Sequence, residues 1–179
     1  MTKKKIMYSK FTVDMLDPGA GDDTEFIGCV GDLLEHRDVQ MLDMYVQHFS
    51  SSRLQHSLNV SYYSYLVCKK FGYDYRSAAR AGLLHDLYLY DKESGGCPEG
   101  NHMYSHPLIA LENAQYLTDI NAIEADAIIS HMWPMSHNAP RYKESLVLSL
   151  VDKYCATCEF VNSMFGAVKR RFTVANELE

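Results

Sequence analysis

The sequence predicts an all-α protein, a bundle of about six or seven helices. Apolar residues recur every three to four positions along most of the 179-residue chain. Short Gly- and Pro-containing stretches cut that pattern into helix-sized pieces, and no segment shows the alternation of a half-buried strand. A hydrophobic content of 47% over this length suits one domain with a sizeable core.

"DPGAGDD" (17–23) reads as a loop. Residues 32–49 place Leu33, Leu34, Val39, Leu42, Val46 and Phe49 near helical period, which predicts a helix. Over 53–71, Leu54, Leu58, Tyr62, Tyr65 and Leu66 share one face, His56, Val60, Tyr63 and Val67 the adjacent one, and Gly72 ends the helix. Residues 75–88 form a short Ala-rich helix that stops at His85-Asp86. "DKESGGCPEGN" (91–101) is a polar Gly/Pro loop, of a length that is more often functional than incidental.

His106-Pro107 opens the next helix, to about 118, with the proline in its first turn. Residues 121–132 make another helix, "WPMSHNAP" (133–140) breaks the pattern with two prolines, and 142–165 form a long final helix. "KRRFTVANELE" reads as a frayed or partner-docked end. The chain thus divides into an N-terminal extension (1–49) with one helix packed on the core, a principal domain (50–165) and a tail (166–179).

The formal net charge of −6 argues against a nucleic-acid polymer as partner. It leaves room for a small phosphate compound, because a bound metal reverses the local field. No apolar stretch approaches the roughly 18 residues of a membrane span, so no membrane partner is expected. "MTKKKIMYSKFTVDMLD" lacks the apolar run of a signal peptide. Cys29, Cys68, Cys97, Cys155 and Cys158 are an odd, scattered set, which suits a reducing cytoplasm better than a disulfide framework. Cys155-Ala-Thr-Cys158 lies within a helical pattern without a second pair, so packing is its expected role.

"AARAGLLHDLYLYD" (78–91) sets an imidazole and a carboxylate side by side after an apolar run. A buried Asp without a partner costs several kcal/mol or takes up a proton. Either the pair sits at an exposed helix end or a positive charge holds both residues. Other such residues follow the same rule. His56 lies within a helix, His106 starts one, His131 ends "ADAIISHM", and Asp152 interrupts "SLVLSLVDKYC". The gaps between them are about 20 to 30 residues, one helix plus its loop, so each helix can offer one ligand or one adjacent pair to a common centre. A lone histidine on an apolar face is ordinarily a satisfied core residue. Asp152 resists that account, because Leu148, Leu150 and Val151 flank it inside a helix and it needs a strong partner. A divalent metal supplies one, with imidazole and carboxylate as its ligands.

The ordered set His56, His85-Asp86, Asp152, in the contexts "RLQHSLNV", "AGLLHDL" and "SLVDKYCA", resembles the HD-domain metal-dependent phosphohydrolase superfamily. "HPLIALENA" and "IISHMWP" extend the likeness over residues 50 to 160. The order of six ligands is similar to the symmetrical diadenosine-tetraphosphate hydrolase branch. The resemblance implies an HD-type helical bundle with two divalent ions, Fe or Mn, with Mg, Co, Ni or Zn as alternatives. It implies His56, His85, Asp86 and Asp152 on the first ion, and Asp86, His106 and His131 on the second, so that Asp86 bridges. The implied activity is cleavage of a phosphoester or phosphoanhydride in a small nucleotide-like substrate by a metal-activated water.

Further groups are expected around such a site. Besides Asp86, the candidate catalytic residues are Lys153 (a phosphate contact), Arg53 (phosphate, or support of a ligand) and His102, which with His137 sits in a loop near the presumed mouth and could protonate a leaving group. Trp133 and Tyr104 are candidates to stack on a base. Two rival functions remain open: a nucleotide- or metal-binding sensor without turnover, and an HD-type di-iron oxygenase. Homo-oligomers are compatible with all three.

Overall fold

The computed structural model describes residues 23–48, 51–91 and 101–176. Among them are seven α-helices and one two-stranded hairpin, as the all-α expectation requires. The loop expected at 17–23 falls almost wholly outside the described residues.

The helix expected at 32–49 is instead a series of short elements. Helix α1 (Asp23–Leu34) ends before His36, which is extended at φ −71°, ψ 134°. Helix α2 (Arg37–Met41) and a 3-10 turn (Leu42–Met44) follow, and Tyr45 is extended again. The Gln40 amide donates back to the Leu34 carbonyl at 3.1 Å, which satisfies one of the acceptors that the end of α1 leaves open. Leu33, Val39 and Leu42 are all fully buried. Their spacing therefore reported a common core and not one continuous helix. Strands β1 (Val46–His48) and β2 (Ser51–Ser52) then pair antiparallel.

Helix α3 (Arg53–Phe71) is the central element and is buried on most sides. The Ser52 hydroxyl accepts from the Gln55 N–H at 3.2 Å at its start, and Gly72, at φ 70°, closes it in the left-handed region that favours glycine. Helix α4 (Tyr75–Leu84), capped by Asp74, packs against α3 so closely that a Cβ on Gly82 would lie 2.6 Å from the Ser61 Cα. It stops four residues before the expected end, which leaves His85 and Asp86 in the turn that follows.

Helix α5 (His102–Leu117) starts earlier than expected, because Asn101 caps it by accepting from the Met103 N–H. Pro107 therefore lies in the second turn, where it withholds a donor from the Met103 carbonyl. Helix α6 (Ala122–Ser130) opens on a reciprocal Asn121–Glu124 capping box. Helix α7 (Lys143–Asn176) runs past the expected end at 165, so most of the presumed tail is helical. It holds no proline, and a lone Gly166 costs only about 1 kcal/mol.

Helix α1 contributes Phe26, Val30 and Leu33 to the same core as α3 and α4. Buried Arg80 ties them together, bonding to Asp32 at 2.8 Å and the Cys29 carbonyl on α1, and pairing with Glu124 at 3.3 Å on α6. Cys155 is a core residue, and both it and Cys158 are free thiols. None of the described helices is long and apolar enough to cross a membrane.

Candidate metal centre

His56 lies in the first turn of α3, His106 on α5 and Asp152 on α7. His85 and His131 each occupy the residue just after a helix, α4 and α6, with nearly identical backbone angles. All six sequence-predicted ligands, Asp86 included, are buried. They form two groups, His56/His85/Asp152 and Asp86/His106/His131, and within each group the candidate ligand atoms lie within 4.8 Å of one another.

The helix ends aim the rings. His85 Nδ1 is 2.8 Å from the Gly82 carbonyl, His131 Nδ1 is 2.7 Å from the Ile128 carbonyl, and His106 Nδ1 is 2.7 Å from the His102 carbonyl. A carbonyl accepts only, so each Nδ1 carries a proton, and in the neutral imidazole each Nε2 presents a lone pair. The Nε2 atoms converge on Asp86. His106 and His131 Nε2 lie 3.4 and 3.6 Å from its Oδ1, and His85 Nε2 lies 3.5 Å from its Oδ2. The carboxylate thus stands between the two groups. His56 is held differently: Nε2 is 3.0 Å from Asp152 Oδ1, and Nδ1 is 3.2 Å from both Glu159 oxygens.

Two atoms at this junction, His85 Nε2 and Asp86 Oδ1, are buried without a hydrogen-bond partner among the described residues. Each such orphan costs about 1–3 kcal/mol. In addition, His106 and His131 Nε2 face each other at 2.9 Å with both Nδ1 protons committed elsewhere. Cations placed among these donors would satisfy all of them. The two buried His/Asp groups could hold metal ions, and their donor chemistry fits divalent ones.

No family model, curated protein or solved structure matches the chain. The donor geometry alone carries the assignment of a candidate metal centre.

The charges are mutually adapted. Burial would raise the Asp86 pKa, but the imidazoles of His85, His106 and His131 outweigh it and hold the carboxyl well below its usual range. Asp152 is likewise lowered, against its burial, by its hydrogen bond to His56 and by the His85 imidazole 3.7 Å away. Burial also opposes protonation of His56, yet the hydrogen bonds to Asp152 and Glu159 prevail and raise it to about 10. His131, where burial and neighbouring His85 act together, falls to about 3.

A cavity of about 280 Å³ opens onto the centre, lined in part by Asp86, His106, His131 and Asp152. His102 and Lys153 also line it. His102 Nδ1 is 3.1 Å from the Tyr90 hydroxyl, and its ring stacks on His106 with centroids 4.6 Å apart. It opens α5 and does not sit in a loop. Lys153 Nζ lies 3.6 Å from Asp152 Oδ2 and donates to the carbonyls of His131 (2.7 Å) and Ser149 (3.1 Å).

Arg53 is the main correction to the expected substrate contacts. It is fully buried behind the site, with Nε on Gln47 Oε1 at 3.0 Å and Nη1 on the Tyr88 carbonyl at 2.6 Å. Its guanidinium stacks on the Tyr88 ring, 3.6 Å from the centroid. Of its two expected roles, this geometry fits support of a ligand, because the guanidinium is engaged by Gln47 and the Tyr88 carbonyl and does not line the cavity. His137 is exposed and stacks on Tyr104, and neither residue lines the cavity, nor does Trp133.

Two residues at the centre escaped the sequence reading. Glu159 follows Asp152 by seven residues, two turns along α7, so heptad spacing could have found it. Gln47 donates its amide to Asp86 Oδ2 from β1. Nothing local marks it, because the contact joins a strand in the N-terminal segment to a turn 39 residues on.

Proposed function

We propose that the chain is a metal-dependent phosphohydrolase of the HD type, cleaving a phosphoester or phosphoanhydride of a small nucleotide-like substrate. One observation carries this reading: Asp86, a member of one trio of buried candidate ligands, also lies 3.5 Å from His85 Nε2 of the other trio, and it lines the cavity at the centre. Two divalent ions bound there would supply Lewis-acid binding of phosphate oxygens and a water of lowered pKa. Four imidazoles and two carboxylates suit Fe or Mn, and also Co, Ni or Zn, better than Mg, which prefers an all-oxygen shell.

The chain's own residues account for the rest. His102, on the cavity wall, is placed to hand a proton to a leaving oxygen, with the Tyr90 hydroxyl holding its Nδ1. Lys153 puts a cation beside Asp152 and fixes the His131 carbonyl. The cavity suits one phosphoryl group and a modest organic portion, which Met103, Met132 and Met135 would flank with apolar, adaptable surface.

Metal analysis of the purified protein, followed by a phosphate-release screen with Mn, Fe, Co and Mg, tests the proposal. The screen includes nucleotides, dinucleoside polyphosphates and sugar phosphates. Metal-dependent phosphate release or bond cleavage is expected. Ligand binding without turnover under every metal would replace the hydrolase with a sensor. Oxygen consumption by the iron form would replace it with an oxygenase.

A further inference from the structure

Asp86 does not hold its position unaided. Gln47, only 9% exposed, donates its side-chain amide to Asp86 Oδ2. The Gln47 amide is itself oriented, because its Oε1 accepts from Arg53 Nε at 3.0 Å and from the Tyr88 hydroxyl at 3.3 Å. Two donors on the oxygen leave only the NH₂ end to face Asp86, so the flip of the amide is settled by chemistry. Arg53 in turn is anchored by the Tyr88 and Tyr90 carbonyls and by the rings of Tyr88 and Tyr45. The chain of contacts therefore runs from a fully buried guanidinium, through one amide, to one carboxylate oxygen.

The consequence is an asymmetric carboxylate. Oδ2 accepts from Gln47 and lies 3.5 Å from His85 Nε2, whereas Oδ1 has no hydrogen-bond partner among the described residues and lies 3.4 and 3.6 Å from the Nε2 atoms of His106 and His131. The other trio, His56, His85 and Asp152, has its own support: Glu159 on His56 and the Gly82 carbonyl on His85.

We infer that Gln47 is a positioning residue for the second metal ion, holding Asp86 so that Oδ1 completes the His106/His131 trio, while the ion at His56, His85 and Asp152 depends on it much less. The inference rests on the dinuclear reading of the centre and extends the metal machinery into residues 1–49, outside the segment that resembles the HD superfamily. Gln47 also lines the cavity, and in this scheme it acts on the metal through Asp86, so the test is run without substrate. Removing an outer hydrogen-bond partner of a metal ligand commonly costs about 10- to 100-fold in metal affinity.

The test is Co(II) titration of the full-length, metal-stripped protein without substrate, following stoichiometry, affinity and the visible d–d spectrum. The parent should bind two ions. Gln47→Met keeps the volume and removes the donor, so it should bind one ion at parent affinity and the other about tenfold or more weaker. The spectrum of its one-ion form should match that of one-ion His131→Ala. If Gln47→Met fails to fold by circular dichroism, Tyr88→Phe takes its place: it removes one of the two bonds on Oε1 and should weaken the same ion by a smaller factor. Unchanged affinity for both ions, or equal loss of both in a folded variant, overturns the role of Gln47 and leaves the hydrolase proposal standing. A parent that never binds a second ion overturns this inference together with the dinuclear reading.

Discussion

The Nε2 atoms of His106 and His131 stand 2.9 Å apart, each on a ring whose Nδ1 is turned to a backbone carbonyl. Two neutral imidazoles so arranged point lone pair at lone pair. Nothing in the folding of α5 or of the end of α6 requires that juxtaposition, and a shared cation between them relieves it.

Metal should therefore both bind and stabilise. Up to two divalent ions per chain are expected, and His131→Ala should lose one while retaining the other. A ligand at 100 times its dissociation constant adds about 2.7 kcal/mol of stability, or roughly 5–10 °C in Tm for a domain of this size. Calorimetry with and without metal checks this. A Tm indifferent to saturating Mn, Fe, Co and Zn would refute the centre.

Asp86→Asn keeps the shape of the carboxylate and removes the charge that offsets the ions. Electrostatic stabilisation of this kind is worth about 3–4 kcal/mol in a barrier, so turnover of a confirmed substrate should fall a few hundredfold or more, and metal affinity should fall as well. Asp91 is exposed and does not line the cavity, so Asp91→Asn should keep the parent rate. The reverse ranking would mean that the wrong carboxylate has been assigned.

Metal binding should release a proton. In the metal-free protein His56 is raised from 6.5 to about 10, so it is protonated at neutral pH. A ligand must shed that proton. Apparent metal affinity should thus climb as pH rises from 7 toward 10. The sign for folding is opposite. The stabilising His56 pairing of the metal-free protein is complete below the ordinary value and lost as pH rises through about 10. Titration calorimetry in buffers of different ionisation enthalpy counts the protons, and zero released at pH 7.5 contradicts the assignment.

Arg53→Met should act on stability before it acts on catalysis. It strips donors from the buried Tyr88 carbonyl, the half-buried Tyr90 carbonyl and Gln47, at a cost of about 2–4 kcal/mol. Denaturant unfolding measures this. An unchanged midpoint with a raised KM would restore Arg53 as a substrate contact.

Gly82→Ala should be poorly tolerated although Ala favours helix. Its Cβ would meet the Ser61 Cα at 2.6 Å and the Ser61 N at 2.8 Å, both backbone atoms that cannot swing aside. Separation of α3 and α4 should cost about 1–3 kcal/mol and displace the Gly82 carbonyl that aims His85. A stability equal to the parent's within error would show that the two helices yield without cost.

The six candidate ligands were legible in the sequence because each is an anomaly in its own helix, a polar group where the apolar period allows none without a partner. Helix class and the stop at Gly72 are equally local, set by backbone preference within a few residues. The segment 32–49 misled for the same reason. Apolar period records which residues are buried, and Leu33, Val39 and Leu42 are buried, but it does not record whether the backbone between them stays helical. Arg53 and Gln47 belong to a different order of information. One turn separates Arg53 from His56 along the chain, yet whether its charge meets solvent or closes over Tyr88 depends on α3 packing against the turn after α4. The chemistry of the centre was thus written in residue type and spacing. Which atoms stand orphaned, which amide holds Asp86 and which cation is sealed away were decided only by tertiary packing, because hydrogen bonds between segments some 40 to 100 residues apart leave no trace in local periodicity.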